Sequence, residues 1–348
     1  MTDPAAPPPI SVAPITVAST PVAPVTFARS VRARMLLIAL LPLLIVLPLL
    51  LVTAVKNWSD RFDEVLIAKV HGELTIAHQH LAGLQQSRKA GVEALAQSAA
   101  LERVLAGGAD LTAFLGGHRQ ELGLDFLYFT QSDGRWPVVQ AALGGQARVE
   151  IDVLSAQDLA TISPDLATRA RLPLVPTAAA RPTQRAEENR GMVVHVAAPV
   201  PGGALVGGVL LNGNLGFIDE INDLVYPPGS LPAGSQGTAT LFLEDVRIST
   251  NVRLFEDVRA LGTRVSATVR DRVLGQGQVW LDRAFVVNDW YVSGYEPIAD
   301  SFGARVGMLY VGFLEAGFSR GKTQSLWQIG ISFLLVVLVS VPILLRWA

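Results

Sequence analysis

Met35 to Val55 reads MLLIALLPLLIVLPLLLVTAV, 21 consecutive residues without a charge. As a helix rising 1.5 Å per residue, that run matches a hydrocarbon core of ~30 Å. A second uncharged run, Leu326 to Leu345, reads LWQIGISFLLVVLVSVPILL. A charge at the centre of a span costs ~2.5 kcal/mol or more, so both runs read as membrane spans. Pro42 and Pro48 are better tolerated in a span than in a soluble helix. A soluble core helix of this length would also show a polar face, and none is present.

Arg29, Arg32 and Arg34 precede the first run, and only Lys56 follows it closely. The positive-inside rule therefore puts the N-terminus in the cytoplasm and the segment between the runs outside. Arg320 and Lys322 on the outer flank of the second run pull weakly the other way. A cleaved signal peptide would have a shorter apolar core, ~7–15 residues, and an earlier basic flank. The expectation is a two-pass membrane protein with its centre outside the cytoplasm and lipid as one partner. Residues 1–34, rich in Pro, Ala, Val and Thr, read as a disordered cytoplasmic tail.

The 348 residues, half of them apolar, leave room for two or three modest domains. The net charge of −2 offers no basic footprint for nucleic acid. The chain has no cysteine, which excludes disulfides, zinc–thiolate sites and cysteine nucleophiles.

From Trp58, the residues Phe62, Leu66, Val70, Leu74, Ala77, Leu81 and Leu84 recur at spacings of three and four. This predicts a long helix rising from the membrane, with a linker to residue 122, whose lower part pairs with a second copy. DFLYFT (Asp125–Thr130) and RWPVVQ (Arg135–Gln140) then read as strands, Pro137 confining the second to an edge or bulge. A helix follows at Ala156–Arg169, then a polar loop, Thr177–Asn189. GMVVHVAAPV and ALVGGVLLN form a hairpin across the turn PGG. GTATLFL and VRIST form another; a helix covers Gly262–Leu274. The remaining strands are QVWLDRAFVV, WYVSGYE, ended by Pro297, and ARVGMLYVGF. The fold class is α+β: a long N-terminal helix and two antiparallel-sheet modules, flanked by two transmembrane helices.

DVRISTNVR, RALGTRVSATV and VWLDRAFVVNDWYVSGYEPIADSFGARVGMLYVGF resemble the membrane-proximal half of a double Cache sensor region. DFLYFTQSDG and APVPGGALVGGVLLNG are similar to its membrane-distal half. The resemblance spans about residues 57–318 and is more specific in its second half. It implies PAS-like modules, distal over 123–234 and proximal over 235–318, then a linker 319–325. It also implies a bacterial sensor histidine kinase or chemoreceptor of the inner membrane with a periplasmic centre, a homodimer, and a response regulator as partner if a kinase domain follows. HAMP, phosphoacceptor and ATP-binding motifs are not found in these residues. Kinase output is therefore expected from further sequence or from a partner. A stand-alone membrane-anchored binding protein is the other reading.

Strand alternation places Arg247, Ser249 and Asn251 on one face, opposite Val246, Ile248 and Thr250. Tyr291 and Tyr295 alternate with Ser293 in the same way on a later strand. Guanidinium, hydroxyl and amide groups suit a small polar or carboxylate ligand. In the first module, Asp125, Tyr128, Trp136, His195 and Asn212 fall on expected strands. Arg181 and Arg185 lie in the polar loop, which is placed to close over that module as a lid. The arginine density there suits an anionic ligand, although a polar surface loop needs no ligand to explain it.

HGELTIAHQH invites a metal reading, but His71 and His78 share a helix face that His80 does not. Solvated histidines explain it better than a metal site. Asp219 and Glu220 read as helix surface, and the glycine pairs read as turns. No cofactor, metal site or catalytic constellation is expected.

Overall fold

The computed structural model describes residues 31–108, 110–132 and 134–347. The expected tail lies outside these residues up to position 30. Two compact units divide the chain, one holding residues up to 56 and from 327, the other residues 57–326.

In the first unit, the run Met35–Val55 is helical as part of α1 (Val31–Ala96), and several of its side chains lie outside the described residues. The second run belongs to the last helix, α9 (Ala316–Trp347). Among the described residues one helical stretch, Ala316–Ser340, is long and apolar enough to cross a membrane.

The second unit begins with the rest of α1, which has the expected helical stripe: Leu66, Val70, Leu74, Ala77 and Leu81 are all buried. Spacings of three and four put them on one face, and that face supplies the main core. Next come α2 (Ala99–Arg103) and α3 (Leu111–Glu121). Ser98 and Asp110 cap their N-termini; Asp110 Oδ1 accepts from the Thr112 amide at 2.9 Å.

Then follow β1 (Phe126–Thr130), α4 (Pro137–Leu143), β2 (Arg148–Leu154), α5 (Ala156–Ile162) and α6 (Pro164–Ala170). The pieces β3 (Leu172–Pro173) and β4 (Glu187–Glu188) precede the hairpin β5 (Gly191–Val200) and β6 (Gly203–Leu210). The first sheet is antiparallel in the order β1-β6-β5-β2.

The expected strand at Arg135–Gln140 is a helix instead. Pro137 sits in its first turn, where the missing N–H loses nothing. Val138, Val139 and Ala142 are buried at helical spacing. The strand position is taken by β2, and the helix expected over 156–169 breaks at Ser163–Pro164.

The second half holds α7 (Leu215–Val225), β7 (Gly237–Leu243), β8 (Val246–Thr250), β9 (Arg253–Phe255), β10 (Val258–Arg259) and α8 (Ala267–Arg270). It ends in β11 (Trp280–Val286), β12 (Asp289–Ala299), β13 (Arg305–Leu314) and α9 (Ala316–Trp347). The second sheet is antiparallel in the order β11-β12-β13-β7-β8. Pro297 does not end β12. The partner β11 reaches only Tyr295, so Pro297 lies beyond it, paired with Met308 on the other side alone. A missing donor is tolerated at such an edge.

The α1 stripe packs with one face of each sheet: Val194 and Val196 of the first, Leu241, Leu309, Val311 and Phe313 of the second. The opposite faces have their own apolar clusters. Polar groups on those two faces are the candidates for binding.

Candidate ligand sites

The β7–β8 pairing sets the geometry of the second sheet's far face. Leu243 opposes Val246 and Phe242 opposes Arg247, but Leu241 opposes Ser249. Ile248 is the extra residue of a β-bulge, and the alternation slips by one there. Residues opposite each other in an antiparallel pair share a face. Arg247 therefore lies with Phe242 on the far face, and Ser249 with Leu241 on the α1 face. The expected polar triple is broken. Ser249 Oγ donates to the Asn214 carbonyl at 2.8 Å, and Asn251 Oδ1 accepts from the Ala239 amide at 2.7 Å. Both bonds tie backbone segments together.

Tyr295 and Tyr291 stay on the face of Arg247, since β12 carries no bulge between them. The Tyr295 ring lies 6.0 Å from Phe242 and 4.6 Å from Tyr310. Burial pushes the Tyr295 hydroxyl up to about 12 and that of Tyr310 well above the usual range. Both are neutral donors at any physiological pH.

Arg247 is only 2% exposed. Its Nη1 donates to Thr263 Oγ1 at 2.8 Å, while Nε has no acceptor among the described residues. The guanidinium stands over the Phe242 ring at 5.0 Å. Burial pushes its pKa down, against the nearby tyrosines. A buried charge without an opposite partner costs several kcal/mol. Arg264, beside it, is different: its Nη2 lies 2.6 Å from Asp245 Oδ2, with Nε 3.3 Å from Oδ1. That pair is neutral as a unit.

Arg247, Tyr295, Ser266 and Phe285 line a cavity of about 190 Å³. Its remaining wall includes Thr177 and Ala179, from the segment between the two sheets. This strap is held by its backbone. Val175 N–H donates to the Gly262 carbonyl at 2.9 Å, and Ala267 N–H to the Ala179 carbonyl at 2.8 Å. Thr177 Oγ1 accepts from the Arg264 amide at 3.1 Å.

The loop therefore lies against the second sheet and is not a lid over the first. Arg181 pairs with Asp271 at 2.5 Å, across the strap. Arg185 pairs with Glu188 at 2.8 Å and Glu244 at 3.5 Å. Burial works to raise the Glu188 carboxyl, but hydrogen bonds and charge from Arg190 and Arg185 hold it below the usual value of 4.5. A carboxyl depressed by folding adds stability above its unfolded pKa, and that stability is lost as pH falls through the folded pKa. Glu188→Gln should therefore flatten the loss of stability in denaturant titrations carried from pH 6 to below about 4.5. An unchanged acid limb would show that Glu188 does not contribute.

On the first sheet's far face, His195 and Asp152 are buried as a pair, Nδ1 to Oδ2 at 2.8 Å. Asp152 Oδ1 also accepts from Ser301 Oγ at 2.6 Å and from the Ser301 amide at 3.2 Å. His195 Nε2 has no partner among the described residues; the Trp136 ring stands edge-on to the imidazole at 5.6 Å. Asp125 accepts from Arg169 and from the Leu210 amide, both at 2.7 Å. Asp125 and Tyr128 together line an open cleft of about 460 Å³ with Arg119. Asn212 bonds to the backbone of Met192, Ala170 and Arg190, so its amide is used up within the fold.

The structure thus brings together Arg247, Tyr295 and Tyr291 on one face, Asp125 with Tyr128, and His195 with Trp136. It separates Ser249 and Asn251 from Arg247, and Arg181 and Arg185 from the first sheet. Asp152, Asp245, Thr263, Arg264 and Ser301 were not foreseen. Nothing local in sequence marks a buried ion pair formed between segments 19 residues apart, as in Asp245–Arg264.

Residues 209–324 match the family model described as "Single cache domain 3". Solved structures similar to the chain include the periplasmic domain of Vibrio cholerae LuxQ, at 12% identity and TM-score 0.38, covering 70% of this chain and 98% of that one. The ligand-binding domain of the Pseudomonas aeruginosa PAO1 amino acid chemoreceptor PctB, in complex with L-Arg, is 13% identical with TM-score 0.31, covering 73% and 94%. The sensor domain of the V. cholerae histidine kinase DctB is 11% identical with TM-score 0.34, covering 72% and 97%. No curated protein matches.

Proposed function

From a chain whose residues 209–324 are a Cache-type segment, we infer a transmembrane sensor that binds a small ligand outside the inner membrane. The apolar runs 35–55 and 326–345 are its two spans, with the N-terminus in the cytoplasm. The first sheet belongs to a membrane-distal module, residues 123–234, and the second to a membrane-proximal module, residues 235–318. The protein works as a homodimer whose output is a two-component histidine kinase acting on a response regulator. A chemoreceptor output is the second reading, because the same sensory architecture serves both.

The observation that carries this reading is the join between sheet and last helix. Only Glu315 separates β13 from α9. Glu315 accepts from Arg283 Nε of β11 at 2.6 Å. Arg283 Nη2 in turn lies 2.9 Å from Asp63 of α1, which also accepts from Lys322 of α9 at 3.2 Å. Burial works to raise the Asp63 carboxyl, but the bonds from Arg283 and Lys322 outweigh it and hold it low. Sheet, first helix and last helix are thus clamped by one ionic network, so a ligand that shifts the sheet shifts α9. Moving such a switch from 1:99 to 99:1 needs ~5.5 kcal/mol of differential binding.

A rigid four-alanine insertion within Ser319–Thr323 tests the coupling in the full protein. Ligand-induced stabilisation, read by thermal melting against a panel of small metabolites, should survive. The cellular output, read as phosphorylation or swimming bias, should be lost. A normal output with the insertion in place would refute the mechanism.

A further inference from the structure

The end of the second sheet from which α9 leaves is apolar where a solvated turn would be polar. Four large side chains there, Phe255, Val258, Phe285 and Trp290, are each between 46% and 61% exposed. They come from two neighbouring turns. Phe285 and Trp290 are an opposite pair on β11 and β12, their rings 5.7 Å apart and edge to face. Phe255 and Val258 are an opposite pair on β9 and β10. Asn288 of the first turn donates through Nδ2 to the Leu254 carbonyl beside the second at 3.4 Å, so the two turns lie side by side. Large apolar groups gathered on a surface mark a place of interaction.

The topology says what this end faces. Only Glu315 separates β13 from α9, and its amide donates to the Trp290 carbonyl at 3.0 Å. The β11–β12 turn projects past that exit. Tyr291 pairs with Leu314, the last residue of β13, and Asp289 lies two residues, about 7 Å, further out. From Ala316 to Leu326, where the second uncharged run begins, a helix rises about 15 Å. The headgroup layer outside the hydrocarbon is ~5–7 Å thick. The turn and an aromatic side chain on it therefore come within reach of that layer, where tryptophan is enriched.

We propose that this end of the second sheet rests on a zwitterionic lipid surface, with Phe285, Trp290, Phe255 and Val258 in the headgroup layer. The proposal rests on the membrane spans of the sensor reading above and adds a second, independent contact with lipid. Charge selects the headgroup. Arg253 is paired with Asp257. Glu256 and Asp289, exposed and next in sequence to Phe255 and Trp290, have no cation in salt-bridge distance among the described residues. Carboxylates beside aromatic rings suit the ammonium group of a zwitterionic lipid and are repelled by an anionic one. The contact holds the sheet as a fixed base against which α9 moves.

The chain has no cysteine, so one introduced thiol can carry a fluorophore. The test places the full chain in nanodiscs of phosphatidylcholine and phosphatidylethanolamine that carry a nitroxide quencher, either on the headgroup or deep on the acyl chain. The label enters through Val258→Cys in the patch, Ser132→Cys at the far end of β1, or Leu338→Cys in the second uncharged run. Headgroup quenching at the Val258 site should be at least twofold that at the Ser132 site. Phe255→Ser with Trp290→Ser, added to Val258→Cys, should remove at least half of it while the protein still melts cooperatively. The comparison of the Val258 and Ser132 sites decides alone if that variant does not fold. Quenching at the Val258 site no greater than at the Ser132 site, or unchanged by the double replacement, would overturn the proposal. So would a Val258 label shielded from aqueous iodide yet not quenched by lipid, since a second copy would then cover the patch. Phosphatidylglycerol nanodiscs should at least halve the headgroup quenching; equal or stronger quenching there would overturn the choice of a zwitterionic surface. If acyl-chain nitroxide does not quench the Leu338 label, the span reading fails and the proposal with it. If it does and the Val258 label is not quenched, the lipid contact fails and the sensor reading stands.

Discussion

Asp245→Ala is expected to lower the unfolding free energy by about 3–5 kcal/mol, the loss seen when one partner of a buried ion pair is removed. Asp245 is 1% exposed, and its two oxygens accept from Arg264 Nε and Nη2. Without the carboxylate, the 9%-exposed Arg264 keeps the Arg181 carbonyl as an acceptor but loses its counter-charge. The pair also bridges local structures: Asp245 sits at the β7–β8 turn, and Arg264 sits in the segment before α8 that anchors the strap. Urea unfolding of the full chain, followed by a probe in the second sheet, measures the loss. A change below about 1 kcal/mol, the range of surface pairs, would mean that solvent reaches the pair. Asp245→Ala and Arg264→Met together should recover much of the stability, because the uncompensated charge is then gone.

Gly262→Ala is the second large effect expected. Gly262 has φ +74, a conformation that side chains resist, and an added Cβ would meet the Pro173 carbonyl oxygen. The backbone penalty alone is about 1–3 kcal/mol, and the steric clash adds to it. Gly262 is a junction: its N–H donates to the Arg247 carbonyl at 3.0 Å, and its carbonyl accepts from Val175 of the strap at 2.9 Å. Substitution should lift the strap and open the cavity. Hydrogen exchange at the Val175 amide reads this directly, with protection lost in the variant. Retained protection at Val175 with global stability unchanged would show that the strap does not need the close approach.

Much of the framework was legible because it repeats or alternates. The spacing from Phe62 to Leu81 marked the buried stripe of α1, and the run between Gly191 and Leu210 marked a hairpin across a two-residue turn. The resemblance carried by DVRISTNVR and the residues after it is borne out by the family match over 209–324. Misreadings occurred where one residue changed the local rule. The sequence reading makes Arg135–Gln140 a strand that Pro137 confines to an edge or bulge, although in the first turn of a helix the missing N–H is harmless. The same reading ends a strand at Pro297, although that strand continues as an edge to Ala299.

Sequence alone determined the two uncharged runs, the long helix and the alternating strands, because each is a pattern of neighbours three, four or two residues apart. It also put Arg247, Tyr291 and Tyr295 among the binding candidates by residue type and strand phase. Only the tertiary structure decided which charges are answered. The bulge at Ile248 moved Ser249 away from Arg247, and the strap brought Thr177 and Ala179 to the second sheet. Arg264 found Asp245, while Arg247 found, among the described residues, only a hydroxyl and an aromatic face. Those outcomes depend on register and on segments far apart in the chain, and a local pattern carries neither.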